Sequence, residues 1–188
     1  MNKSKNDNEL DESQEKSFWD FSPVTFFLCM LTLIVGVITV LSFYDGFQVK
    51  KQERIAAYVN EMNELLRKSE QYSGLMKDKL DNGSSPSFSV EDEKEFRELM
   101  QAAPQIEAPS GWQGHKEAAT ELISERYMFF YHYFHGTAIE GKGIEDVYSR
   151  LDALESKEKE ILLSSFDASE IPYQETEEGK ITFSIKSY

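Results

Sequence analysis

Residues 23–44 read PVTFFLCMLTLIVGVITVLSFY and contain no charged side chain. A helix of these 22 residues would span roughly the 30 Å hydrocarbon core of a bilayer, at about 1.5 Å of rise per residue. Trp19 and Phe21 precede the stretch, and Phe43 and Tyr44 close it, as expected of aromatic rings at the headgroup level. The sequence therefore predicts one transmembrane helix over residues 23–44.

The same stretch differs from a cleaved secretory signal, which has a basic start, a short apolar core and a small-residue cleavage site. Residues 1–22 hold three lysines and six acids, and Ser42-Phe-Tyr44 is a poor cleavage site. The apolar stretch is also longer than a signal needs. We therefore expect an uncleaved single-pass anchor, a disordered acidic tail over residues 1–22, and an extramembrane domain over residues 45–188.

One face of the predicted membrane helix carries small or weakly polar side chains. They recur at spacings of four, three, four and three residues, which keeps them on one side of an α-helix. Small side chains let membrane helices approach closely, although they are also frequent in membrane helices without such contacts. We interpret this face as a docking surface for a second copy or a partner subunit. The small-residue face consists of Thr25, Cys29, Thr32, Gly36 and Thr39.

The orientation of the predicted anchor stays open. Near the segment, the tail offers Lys16, whereas the other flank offers Lys50, Lys51 and Arg54. The positive-inside rule would then place the domain in the cytoplasm, but domains of this size cross membranes largely regardless of charge. Anchored bacterial domains of this layout more often face outward, so we expect a bacterial inner-membrane protein with its domain outside.

The region after the tail is strongly acidic. The chain has 20 basic and 34 acidic side chains, of which residues 1–22 hold three and six, leaving 17 and 28 and a net charge of −11. Such a field repels phosphate backbones, so we expect no nucleic-acid ligand. The single cysteine, Cys29, lies in the apolar segment. An intrachain disulfide, a cysteine-based zinc site and a thiol nucleophile in the domain are therefore excluded.

Apolar residues at helical spacing predict helices after the membrane segment. The first runs from about Phe47 to Leu80, and Gly46 before it is interpreted as a hinge. The row of apolar residues along one side of this helix, its apolar seam, suits a helical bundle better than a coiled coil. Asp81–Pro86 predicts a loop, in which Asn82-Gly83-Ser84 also fits a glycosylation acceptor. Ser89-Val-Glu-Asp92 fits a capping box at the start of the second helix.

Two further helices and a short hairpin complete the predicted domain. The third helix runs from about Trp112 to His135, where Gly136 ends it, and the fourth runs from Ile144 to about Phe166. Residues 180–186 alternate between apolar and polar, which predicts a strand paired with residues 171–174. The predicted fold class is all-α: one N-terminal transmembrane helix followed by an extramembrane bundle of about four helices, with a short C-terminal β-hairpin.

The second half of the third predicted helix, residues 126–135, is apolar or aromatic on every side. Such a helix is usually buried all round, so we expect it at the centre of the domain. The alternative is an aromatic surface that docks a partner, touches lipid headgroups or lines a ligand pocket. The residues that would form this surface are Trp112, Tyr127, Phe130, Tyr131 and Phe134.

Two histidines are the strongest candidates for metal ligands. His132 and His135 lie three residues apart on one predicted helix, and His115 or a carboxylate would have to complete a site. Histidines within an aromatic run more often form structural hydrogen bonds. We therefore expect no bound metal and no cofactor.

The carboxylates and serines give no catalytic signature. Glu91, Asp92 and Glu93 are explained by a helix start, and Glu155 and Glu158 by a solvent-facing helix side. The sequence contains no Gly-x-Ser-x-Gly elbow and no phosphate-binding glycine loop. We therefore expect a non-catalytic protein.

Two hypotheses follow for its function. The first is a single-pass accessory or scaffolding subunit of a membrane complex, which docks on an integral membrane partner or a second copy through the small-residue face. The second is a membrane-anchored ligand-binding or sensing domain with a pocket among the third-helix aromatic residues.

Overall fold

A computed structural model describes residues 23–84, 87–136, 143–177 and 181–185. The predicted tail over residues 1–22, with Trp19 and Phe21, lies outside the described residues. Within the described ranges the chain forms four α-helices, a 3₁₀ turn and one two-stranded sheet. The predicted fold class is confirmed.

Helix α1 spans Pro23–Asp81, 59 residues, so the two helices predicted on either side of Gly46 are one continuous helix. A glycine costs a helix only about 1 kcal/mol relative to alanine, too little to end it between good helix formers. Within α1 the chain divides into two compact units, one ending at Gln48 and the other beginning at Val49. The N-terminal part of α1 is long and apolar enough to span a bilayer, with a mean hydropathy of 2.7 over its most apolar 18 residues.

In the unit from Val49 onward, helix α2 spans Val90–Ala102 and begins with the predicted capping box. The Ser89 hydroxyl accepts a hydrogen bond from the Asp92 amide at 3.1 Å, and the Ser89 amide donates to the Asp92 carboxylate at 2.7 Å. A 3₁₀ turn, Ala103–Gln105, follows. It contains Pro104, whose ring cannot continue an α-helix.

Helix α3 spans Gln113–Phe134, and helix α4 spans Ile144–Ala168, close to the predicted bounds. Gly136 has a φ of +62°, a left-handed conformation that glycine adopts without strain at a helix end. Strands β1 (Tyr173–Glu175) and β2 (Ile181–Phe183) pair antiparallel, with Tyr173 opposite Phe183. The hairpin rests on the helices because the rings of Tyr173 and Phe183 both contact Phe166 of α4.

The core of this unit comprises two hydrophobic clusters, and α1 contributes to both. In the first, Trp112 and Phe166 meet edge to face at 5.1 Å between ring centroids, beside Ile55 of α1. In the second, Phe96 contacts Phe130 at 5.3 Å, beside Met76 of α1. Since each cluster draws on several elements, the helices hold one another in place.

The expectation that residues 126–135 are buried all round was wrong. Phe129 and Phe130 are buried, but Met128 is 42% exposed and Tyr131 is 37% exposed. Helix α3 packs against α2 and α4 and contacts side chains of α1, and these neighbours leave part of its circumference open to solvent.

The capping box gives a direct test of the start of α2. Replacing Ser89 by Ala removes the hydroxyl acceptor of the Asp92 amide, so the free energy of unfolding should fall by about 1 kcal/mol. Ser89→Gly should cost only a few tenths of a kcal/mol. Urea denaturation of the full chain in detergent, followed by circular dichroism, measures both. Unchanged stability in Ser89→Ala would contradict the assigned cap.

Candidate functional site

The small-residue face lies along the exposed apolar part of α1. At 3.6 residues per turn, its five members fall within an arc of about 80°. Cys29, Thr32 and Gly36 line a shallow groove between larger apolar side chains. A methyl group added at Gly36 would meet no atom within 4 Å, so the helix itself does not require glycine there.

Two hydroxyl groups of this face are bonded within the helix. Thr32 Oγ1 donates to the carbonyl of Leu28, and Thr39 Oγ1 donates to that of Val35, both at 2.8 Å. Threonines that bond back to the preceding turn add little polarity to the helix surface. The face therefore offers mainly a close, apolar contact.

The five residues of the predicted aromatic surface are divided between the core and the exterior. Trp112, Tyr127 and Phe130 are at most 6% exposed, with Trp112 in the first hydrophobic cluster and the other two in the second. Tyr131 is exposed, and Phe134 is half-buried and stacked on Phe130 at 5.8 Å. The structure thus does not bring the five side chains together on one surface.

His132 and His135 lie at the end of α3 beside Tyr131, whose ring centroid is 6.0 Å and 4.4 Å from theirs. His115, which was one candidate to complete such a site, lies at the start of α3 and is fully buried. Among the described residues, no group of three or more His, Cys, Asp or Glu side chains could hold a metal ion.

His115 belongs instead to a buried polar chain that links three helices. Its Nδ1 lies 2.8 Å from the hydroxyl of Tyr58 in α1, and its Nε2 lies 2.8 Å from Oε1 of Glu158 in α4. The three residues are 0–9% exposed. Every group is satisfied when Tyr58 donates to Nδ1 and Nε2–H donates to the carboxylate.

The environment keeps the phenol of Tyr58 protonated. Burial raises the Tyr58 pKa above its ordinary value, and the nearby charge of Glu158 raises it further. Tyr58, His115 and Glu158 resemble a hydroxyl–imidazole–carboxylate relay in their order. Because all three are buried, however, a substrate cannot reach the hydroxyl, and the arrangement joins helices rather than presenting a nucleophile.

Arg126 makes a second polar link between the same helices. Its Nη1 donates to the carbonyl of Leu66 and to Ser69 Oγ in α1, both at 3.0 Å, and its Nη2 donates to Glu155 in α4 at 2.6 Å. Arg126 is 3% exposed. Ser69, which interrupts the apolar seam of α1 in the sequence, is thereby explained as a ligand of this guanidinium group.

Two carboxylates are buried: Glu158, which was expected on a solvent-facing helix side, and Glu93, which was assigned to a helix start. Glu158 is 9% exposed and bonds His115, whereas Glu93 is 7% exposed and accepts a hydrogen bond from Tyr127 at 3.0 Å. The sequence does contain a signal for Glu158, which lies seven and four residues after Leu151 and Leu154. That spacing places it on the apolar side of α4.

Comparison with known proteins identifies no relatives for this arrangement. No family model matches the chain, and neither the curated proteins nor the solved structures include a significant match. The case for a function therefore depends on the geometry and chemistry described above.

The buried chain can be tested by removing its central member. His115→Leu leaves the Tyr58 hydroxyl and the Glu158 carboxylate without their partner, so the free energy of unfolding should fall by about 3 kcal/mol. His135→Leu makes the same chemical change at an exposed position and should change stability by less than about 0.5 kcal/mol. Chemical denaturation of both variants is the measurement, and equal losses would contradict the assigned role of His115.

The pH dependence of stability should report the raised pKa of Tyr72. Partial burial, together with the hydrogen bond to Glu95, raises its pKa from 10.0 to about 12. Below pH 10 both the folded and the unfolded chain keep this proton. Between pH 10 and 12 the unfolded chain loses it first, so stability falls as pH rises. Thermal unfolding across this range should show a smaller fall for Tyr72→Phe than for the wild type. Parallel curves would refute this assignment.

Proposed function

We propose that the protein is a non-catalytic, single-pass accessory or scaffolding subunit of a membrane complex. One observation carries this proposal: every residue from 23 to 47 in α1 is exposed, although the segment is almost entirely apolar. An apolar surface of that extent is unfavourable in water and favourable in a bilayer. In this proposal the apolar part of α1 crosses the membrane and carries the helical domain.

The small-residue face is the proposed contact with an integral membrane partner or a second copy. Lipid tails are as apolar as leucine, so burying large side chains gives no net hydrophobic gain inside a membrane. The groove at Cys29, Thr32 and Gly36 would let a second helix approach closely and gain dispersion contacts. The internal bonds of Thr32 and Thr39 support a contact made by shape rather than by hydrogen bonds between helices.

The domain supports a scaffolding role better than a catalytic one. In its most enzyme-like constellation, Tyr58–His115–Glu158, the hydroxyl and the imidazole are buried and the three groups bond one another. Arg126 is likewise engaged with three partners. Buried hydrogen bonds that link three helices favour one well-defined helix arrangement, which suits a domain that other subunits contact.

For location, we propose a bacterial inner membrane with the domain on the outer side. The domain-side flank carries Lys50, Lys51 and Arg54, which would favour the opposite orientation. The length of the following domain supports translocation despite these charges. Labelling of residue 152 with a membrane-impermeant reagent in an Asp152→Cys, Cys29→Ser variant distinguishes the two sides, because Asp152 is exposed.

The alternative, an anchored ligand-binding or sensing domain, has less support. It requires a pocket among the third-helix aromatic residues, whereas Trp112, Tyr127 and Phe130 fill the two core clusters. A ligand could contact them only after the core had rearranged, which costs several kcal/mol for large apolar side chains.

The docking proposal makes a prediction for Gly36. Gly36→Leu fills the groove and should prevent close helix approach, so recovery of the complex after gentle detergent extraction should fall by about tenfold or more. Ile34→Phe adds bulk on the opposite side of α1 and serves as the matched control, with recovery close to wild type. Mass spectrometry identifies what co-purifies, and cross-linking of differently tagged copies detects self-association.

Stability measurements complete this experiment. Since a side chain at position 36 meets nothing within the chain, Gly36→Leu should unfold at the same temperature as the wild type. Undiminished complex recovery and self-association in Gly36→Leu would refute docking through this face.

A further inference from the structure

Asn82 and Gly83 form the turn that ends α1, and both are exposed. Gly83 has a φ of +66°, and a methyl group placed on its Cα would meet no atom within 4 Å. Glycine has no side chain to crowd its own nitrogen, and beyond the adjacent residues no atom lies within 4 Å of the position that a Cβ would take. Attack of that nitrogen on Asn82 Cγ would close an unstrained five-membered ring.

We propose that Asn82 is a site of spontaneous, succinimide-mediated deamidation. The Gly83 nitrogen gives its proton to hydroxide and forms a bond to Asn82 Cγ. Nδ2 then takes a proton from water, which restores the hydroxide, and leaves as ammonia when the Cγ–Nδ2 bond breaks. Water then opens the ring at either carbonyl, which yields aspartate or isoaspartate. The net reaction consumes one water molecule, releases one ammonia molecule and requires no oxidant or reductant.

The folded turn sets the rate of this reaction. Asn82 Nδ2 donates to the Asp78 carbonyl at 2.8 Å and to Asp78 Oδ1 at 3.2 Å, and the Gly83 amide donates to the Leu80 carbonyl at 3.0 Å. All three bonds must break before the ring can close. Helix ends fray more readily than helix interiors open, so the turn slows deamidation without preventing it.

The product weakens the turn that restrained the reaction. A carboxylate at position 82 cannot donate to Asp78, and it adds negative charge beside Asp78 and Asp81 at the negative end of the α1 dipole. Deamidation thus makes an irreversible change that loosens the end of α1. The deamidation proposal does not depend on docking through the small-residue face.

The test uses the full chain in detergent micelles at 37 °C and mildly alkaline pH. Peptide mapping should show a slow gain of about one mass unit at residue 82, with isoaspartate present, faster at higher pH. Asp78→Ala removes one of the restraining bonds and should accelerate the reaction about threefold. Asp81→Ala removes a neighbouring acid that does not bond Asn82, so it should react at the wild-type rate.

Asn82→Gln provides the unreactive control, because its longer side chain closes a less favourable ring. The proposal is overturned if residue 82 keeps its mass in the wild type while an unfolded peptide of residues 76–88 reacts. Equal rates in Asp78→Ala and Asp81→Ala overturn the assigned role of the turn. A glycan on Asn82 would also overturn it, since that modification blocks Nδ2.

Discussion

The buried charge of Arg126 constrains the packing of the whole helical domain. A guanidinium group stays charged inside a protein, and removing it from water costs several kcal/mol unless its donors are bonded. The carbonyl of Leu66, the hydroxyl of Ser69 and the carboxylate of Glu155 bond the two terminal nitrogens, Nη1 and Nη2, whereas Nε has no hydrogen-bond partner among the described residues. Because these partners belong to α1 and α4, the charge of one α3 residue fixes the positions of two other helices relative to its own.

The Tyr58–His115–Glu158 chain links the same three helices through a second set of side chains. Both polar links cross from α1 through α3 to α4, and they lie beside the two hydrophobic clusters. Apolar side chains tolerate small shifts along a helix, whereas a hydrogen bond weakens steeply once its geometry changes. The hydrophobic clusters thus contain most of the buried apolar side chains, and the polar links determine how the helices are aligned along one another.

The helices could be predicted from sequence because their signals are local. Ser89 and Asp92 cap α2 through atoms three residues apart, and Gly136 ends α3 by its own backbone freedom. The polar links could not be predicted, because Arg126 and Glu155 are 29 residues apart and meet only after α3 packs on α4. Trp112 illustrates the same limit, since an aromatic ring suits a binding surface or a core equally well until its neighbours are known.

Helix α1 combines two ways of specifying a contact. Around Tyr58 and Ser69, buried hydrogen bonds determine which side of the helix faces α3. From Pro23 to Tyr44 no charged side chain exists, and the hydroxyls of Thr32 and Thr39 are bonded within the helix. Along that segment shape and a few small polar side chains distinguish one side from another. The groove at Gly36 is part of that shape, and in the proposed docking the specificity of the apolar segment would depend on how closely another surface fits there.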